Sequence, residues 1–193
     1  MKLVRKKEVW LPTWQGLILS SVLIAALACG AVLHLYPFLA QNDPYPNAEI
    51  IIIEGWLADA ELKEAAKAVR PGQTVVTTGG PVTFGQKILQ YDNYAEMAAA
   101  RLIAIGIPAE MIIAVPAPET LRDRTYASAQ AARRKLEELG LFGRSVNLYT
   151  IGAHARHSCL LFRHVFGREY PLGVISVEPP NYHLKHWYRH SAG

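Results

Sequence analysis

The sequence has little cysteine and little excess charge, and each shortage excludes a class of protein. Its 193 residues include only two cysteines, Cys29 and Cys159, which are too few for a disulfide-bonded scaffold. Twenty Lys and Arg against 16 Asp and Glu give a net charge of +4. Residues 1–16 contribute +3 of this, because they hold four basic residues and one acidic residue. We therefore expect no basic face for nucleic acid and no nucleic-acid partner.

Signature motifs of several enzyme classes are also missing. The sequence has no G-x-x-x-x-G-K-[ST] loop, no G-x-G-x-x-G after the first predicted strand, no G-x-S-x-G and no H-E-x-x-H. These absences argue against a P-loop NTPase, a Rossmann dehydrogenase, a serine hydrolase and a zinc protease. No cofactor is required by the sequence. A composition of 51% hydrophobic and 19% charged residues is nevertheless that of a folded protein.

One long stretch, residues 16–39, contains no Asp, Glu, Lys or Arg. Its 24 residues exceed the roughly 20 that a helix needs to cross a bilayer. Aromatic residues flank it on both sides, as in an interfacial belt, at Trp10, Trp14, Tyr36 and Phe38. The pattern predicts one transmembrane helix over 16–39.

The basic residues before this stretch predict its orientation. They place residues 1–15 as a cytoplasmic basic tail, and the rest of the chain is then exported. An alternative is processing at a lipoprotein-like box that ends at Cys29. The chain stays apolar through Leu39, which favours an uncleaved single-pass anchor over that alternative.

After a linker at 40–47, residues 48–193 alternate regularly between strand and helix patterns. Strands are predicted over 48–53, 73–78, 111–115, 145–151 and 172–177. Helices are predicted over 58–69, 91–105, 124–139 and 154–166. No hairpin signal joins successive strands, so the fold class expected is α/β: a doubly wound, mostly parallel, Rossmann-like sandwich of about five strands.

Ligands bind such sheets beyond the carboxyl ends of the strands. The residues there combine glycine with polar or charged groups, which suits an anion. The ligand-binding residues predicted on this basis are Glu54, Gly55, Thr78, Gly79, Gly80 and Arg124. The alternative is that tight turns between strand and helix need glycine in any case.

Three residues are predicted to be catalytic: His154, Arg156 and Glu96. Histidine can transfer a proton or attack a substrate, and arginine can bind a phosphate with two hydrogen bonds. Glu96 would orient His154 or accept a substrate hydroxyl. The alternative interpretations are a capping histidine and a solvated helix face.

A histidine cluster lies near the end of the chain, at His183, His186 and His190. This spacing places the three side chains on one helical face, where imidazoles can bind zinc. No carboxylate or cysteine occurs at matching spacing. We therefore expect no metal site.

Several short motifs, in this order, resemble the family of envelope proteins that includes SanA, ElyC and YdcF. They are Thr78-Gly79-Gly80, Tyr94-Ala95-Glu96-Met97, Gly106-Ile107-Pro108, Arg124-Thr125-Tyr126 and Gly152-Ala153-His154-Ala155-Arg156. The resemblance covers about residues 48–180, and it implies that Thr125 is a further ligand-binding residue. Two positions depart from the pattern: Glu54-Gly55-Trp56 stands where many relatives have a glycine-rich turn, and Ser128 stands where many have Asn.

The resemblance implies a YdcF-like domain of a bacterial inner-membrane protein, exposed on the extracytoplasmic side. It implies that the protein acts on, or binds, a phosphorylated and polyprenyl-linked precursor of the cell envelope, as a hydrolase or transferase. The alternative is a non-catalytic module that binds an anionic envelope ligand or a partner membrane protein. Binding of S-adenosylmethionine, attributed to one branch, is disfavoured because the glycine-rich first turn is absent.

Overall fold

In a computed structural model, which describes residues 9–82 and 91–178, the chain divides into two units, residues 1–35 and residues 36–193. The apolar stretch forms helix α1, Trp14–Leu39. Its 26 residues are long and apolar enough to cross a membrane, and none of its most apolar window is buried against the protein. The last four residues of α1, from Tyr36, belong to the second unit.

The second unit alternates strand and helix, as the sequence predicts. The strands are β1 (Ile50–Glu54), β2 (Thr74–Gly79), β3 (Ile112–Pro116), β4 (Val146–Ile151) and β5 (Leu172–Val177). The helices are α2 (Asp59–Ala68), α3 (Tyr94–Ile105), α4 (Arg124–Glu138) and α5 (His154–Phe166), and a 3₁₀ turn at Ala109–Met111 precedes β3. Each boundary falls within three residues of its prediction. The predicted histidine cluster at 183, 186 and 190 lies outside the described residues.

The five strands form one parallel sheet in the order β3-β2-β1-β4-β5. This confirms the predicted doubly wound α/β fold. The run Ile50–Ile53 is fully buried because β1 lies at the centre of the sheet with helices on both faces. The strand order reverses between β1 and β4, which are neighbours in the sheet although 91 residues of chain separate Glu54 from Val146.

The side chains of β1 alternate between two hydrophobic cores. Ile50 and Ile52 pack with α4 and α5 on one face, and Ile51 and Ile53 pack with α2 and α3 on the other. Glu54, the residue after Ile53, lies two residues beyond Ile52 and therefore points to the same face as Ile50 and Ile52. The alternation therefore directs a carboxyl group to the α4–α5 face at the carboxyl edge of the sheet.

Residues 42–45, which lie in the predicted linker, are hydrogen-bonded to the edge of the sheet. Asp43 forms an antiparallel bridge with Val174 of β5. Tyr45 exchanges two hydrogen bonds with the side-chain amide of Asn147, at 2.7 and 3.0 Å. These contacts fasten the start of the second unit along β5.

Gly173 lets this segment approach, and its replacement by alanine is expected to weaken the attachment. A β-carbon at Gly173 would lie 2.0 Å from the Tyr45 nitrogen and 2.6 Å from Asn147 Oδ1. We expect Gly173→Ala to lower the free energy of unfolding by about 1–3 kcal/mol, the usual cost of overpacking. Urea denaturation should measure this, with Gly80→Ala as the control, because a β-carbon there would have no neighbour closer than 3.7 Å. Equal stability of the two variants would contradict the close approach.

Candidate functional site

The candidate site lies where β1 and β4 end, at the reversal of strand order. Glu54, the last residue of β1, is only 2% exposed. Its Oε2 accepts a hydrogen bond from Thr150 of β4, and its Oε1 accepts one of 3.0 Å from Ser158 of α5. A carboxyl group is thus held in the crevice where ligands bind in sheets of this type.

Burial dominates the protonation of this carboxyl group. Desolvation raises the pKa of Glu54 to about 7, although hydrogen bonds from Thr150, Ser158 and Trp56 and the charge of His157 favour ionisation. Glu54 is therefore near half-ionised at neutral pH, unlike a solvent-exposed glutamate. A buried group that titrates at the pH of its surroundings is suited to exchange protons with a neighbour.

That neighbour is His154, the first residue of α5. Its Nε2 lies 3.9 Å from Glu54 Oε1, which is too long for a hydrogen bond but within ion-pair distance. The imidazole packs edge-on against Trp56, with ring centroids 5.2 Å apart, and its side chain is 35% exposed. Partial burial lowers the pKa of His154 below the usual 6.5, so the ring is mainly neutral at pH 7.

The pair has the chemistry of an acid–base site. The neutral imidazole is exposed enough to meet a ligand and can accept a proton from it. The resulting imidazolium would then face the carboxyl oxygen of Glu54, whose charge stabilises it. The geometry thus leaves His154 accessible from solvent and places the buried Glu54 carboxyl group behind it.

The helix N-termini on the two faces of the sheet differ in charge. The first turns of α2 and α3 carry acidic residues, Asp59, Glu61 and Glu96. Those of α4 and α5 carry none, although a negative charge there would be stabilising. Neither α4 nor α5 has a side-chain cap, and basic residues, including Arg124, occupy their first turns. The starts of α4 and α5 are thus less acidic than those of α2 and α3, with Asp123, the N-cap residue of α4, as an acidic neighbour of Arg124.

Arg156 does not join His154, although the sequence pairs the two as catalytic residues. Side chains two residues apart point to different sides of a helix. The guanidinium carbon of Arg156 lies 3.8 Å from the ring centroid of Phe38, and Nη1 donates a 3.3 Å hydrogen bond to the Phe38 carbonyl. Arg156 thus holds the first residues of the second unit, away from Glu54.

Glu96 is also placed apart from His154. It is exposed at the start of α3, where its backbone N–H donates to Asn93 Oδ1 at 2.8 Å. Within the described residues its side chain makes no hydrogen bond or ion pair. Among the described residues, no hydrogen bond or ion pair joins Glu96, His154 and Arg156, and their joint catalytic role stays a prediction.

The predicted ligand-binding residues divide between packing roles and the edge of the site. Gly55 and Gly79 pack against the start of α3, where a β-carbon would lie 2.4 and 2.6 Å from atoms of Tyr94. The Thr78 hydroxyl is buried and points to the Ser128 carbonyl at 3.4 Å. Gly80, Arg124 and Thr125 are partly or fully exposed. Their role in ligand binding stays a prediction.

Three residues of the site were missed by the sequence analysis: Thr150, Ser158 and His157. Helical spacing could have identified His157 and Ser158, because residues three and four positions after His154 lie on the same side of α5. His157 is such a neighbour, with its ring centroid 5.3 Å from that of His154. Strand alternation contained the signal for Thr150.

Comparison with protein-family models and with curated proteins finds no match for this chain. Membership of the SanA, ElyC and YdcF family thus stays a prediction. Across residues 9–82 and 91–178, no group of three or more His, Cys, Asp or Glu side chains is arranged to hold a metal ion. The function must be argued from the site itself.

Proposed function

We propose that this protein is a membrane-tethered phosphoester hydrolase of the cell envelope, acting on a phosphorylated, polyprenyl-linked precursor. The observation that carries the proposal is the pairing of buried Glu54 with half-exposed His154, 3.9 Å apart, where the strand order reverses. Half-exposed histidine beside a buried carboxyl is the arrangement of a general base and its positioning group.

The reaction assigns one role to each member of the pair. His154 removes a proton from a water molecule as the water oxygen forms a bond to phosphorus. The ester P–O bond breaks, and the departing oxygen takes up a proton. The ionised Glu54 stabilises the imidazolium of His154 until the proton returns to solvent.

Phosphate is the favoured ligand because of the charge around the site. The first turns of α4 and α5 lack acidic residues and contribute the positive ends of two helix dipoles. Glu54 presents less negative charge than an ordinary glutamate at pH 7, because burial raises its pKa to about 7. A phosphate dianion therefore meets little repulsion there.

The membrane-linked part of the proposal rests on α1. Insertion of this 26-residue apolar helix would confine the protein to a membrane, to which a lipid-linked substrate is also confined. The inner membrane, the cytoplasmic N-terminus and the exported domain follow from the basic residues near the start and from the resemblance.

The test uses the full chain in detergent micelles with farnesyl phosphate, a short polyprenyl phosphate. Phosphate release and the shift of the unfolding temperature should be followed together. We expect release, and in ¹⁸O-labelled water the label should appear in the phosphate, since the P–O bond is the one broken. Stabilisation without release would contradict hydrolysis and support an anion-binding module. The absence of both phosphate release and a shift of the unfolding temperature would contradict the phosphate site and favour binding of a partner membrane protein.

A further inference from the structure

A second imidazole stands beside His154 at the mouth of the site. His157 follows His154 by three residues, so one turn of α5 brings the two rings to 5.3 Å between centroids. His157 is exposed, and within the described residues its ring makes no hydrogen bond or ion pair. Both ring nitrogens are therefore open to a ligand.

The two imidazoles have different surroundings. His154 lies against the Glu54 carboxyl and the edge of Trp56, and burial disfavours its protonated form. His157 faces water and is near enough to Glu54 for its charge to favour ionisation of that carboxyl. Two titratable groups in unlike environments are the basis for dividing the acid and base roles of one reaction.

We propose that His157 is the general acid of the site and protonates the departing oxygen of the phosphoester. This rests on the proposed hydrolysis. The N–H bond of the His157 imidazolium breaks as the ester P–O bond breaks, and the proton passes to the leaving alcohol. At the same time the proton of the attacking water passes to His154. His154 gains one proton and His157 loses one in each turnover, so proton exchange with solvent restores both rings.

The proposal is tested by comparing two leaving groups in the full chain. Farnesyl phosphate releases an alcohol, whose oxygen needs a proton, whereas 4-nitrophenyl phosphate releases a stable phenolate. We expect His157→Gln to slow phosphate release from farnesyl phosphate by about 10²-fold or more. Release from 4-nitrophenyl phosphate should fall by less than about tenfold.

His164→Gln is the matched control, since it changes another exposed histidine of α5 that packs near Tyr126, at 6.0 Å between ring centroids. It should leave both rates unchanged. An equal loss with both substrates would overturn the acid role of His157 and indicate a binding or structural role. No loss with either substrate would remove His157 from the reaction. A wild-type chain that releases phosphate from neither substrate would overturn the proposed function itself.

Discussion

Replacing His154 by alanine should lower phosphate release by about 10²–10⁴-fold, the contribution of a well-placed general base. The variant loses the imidazole whose Nε2 lies 3.9 Å from Glu54 Oε1. Its side chain is 35% exposed, so its removal creates no closed cavity in either core. The expected result is therefore a loss of turnover with nearly unchanged stability.

Two measurements separate this role from a structural one. The unfolding temperature of His154→Ala should match that of His164→Ala, which changes an exposed histidine farther along α5. In the wild-type chain kcat/KM should fall on the acidic side near pH 7, because Glu54, whose pKa burial raises to about 7, is protonated there and no longer stabilises the imidazolium. Unchanged turnover in His154→Ala would remove the basis of the proposed reaction.

Replacing Glu54 by glutamine should change how stability depends on pH. The folded-state pKa of about 7 lies above the ordinary glutamate value of 4.5, so the folded protein holds this proton over a pH interval in which the unfolded chain releases it. The contribution of the Glu54 proton to the free energy of unfolding is fully present below pH 4.5. It decreases as the pH rises from 4.5 to 7, and above pH 7 it no longer changes. A pKa difference of one corresponds to 1.36 kcal/mol, so the difference of about 2.5 between the folded and unfolded states lowers the free energy of unfolding by about 3 kcal/mol across this pH interval.

Glutamine is neutral at every pH and retains an oxygen that accepts from Thr150 or Ser158. We expect Glu54→Gln to match the wild type near pH 4.5 and to exceed it by up to about 3 kcal/mol at pH 7, while its turnover falls. Urea denaturation at a series of pH values measures the difference between the two chains. Glu64→Gln, which removes an exposed carboxyl group, should show no such divergence. Parallel pH profiles for the wild type and Glu54→Gln would show that the Glu54 proton is not retained on folding.

Most of the fold follows from patterns that extend over many residues. The run Ile50–Ile53 requires cover on both faces, and the glycines that end helices, such as Gly106, adopt the left-handed conformation their position demands. These features depend on local sequence. They predict the strands, the helices and a parallel sheet without knowledge of any contact.

The site was harder to predict because it depends on the directions of single side chains. Counting by two along β1 identifies Glu54 as a member of the α4–α5 face, and counting by four along α5 identifies Ser158. Arg156 has the chemistry of a phosphate ligand but lies two residues from His154, where helical geometry turns it toward Phe38. Residue type suggested this site, and periodicity was needed to select its members.

The bridge between Asp43 and Val174 also bears on the order of events during synthesis. Asp43 leaves the ribosome 131 residues before its partner, and at about 5–20 residues per second the interval is on the order of 10 s. The central strand β1 likewise cannot complete its pairing until β4 has been synthesised, since Ile50 pairs with Val146. A nascent chain interrupted before β5 would display unpaired backbone at Asp43 and along the edge of β4 that pairs with β5. Both are covered once the chain extends through Val177, so protease resistance at Asp43 and β4 should report that β5 has been synthesised.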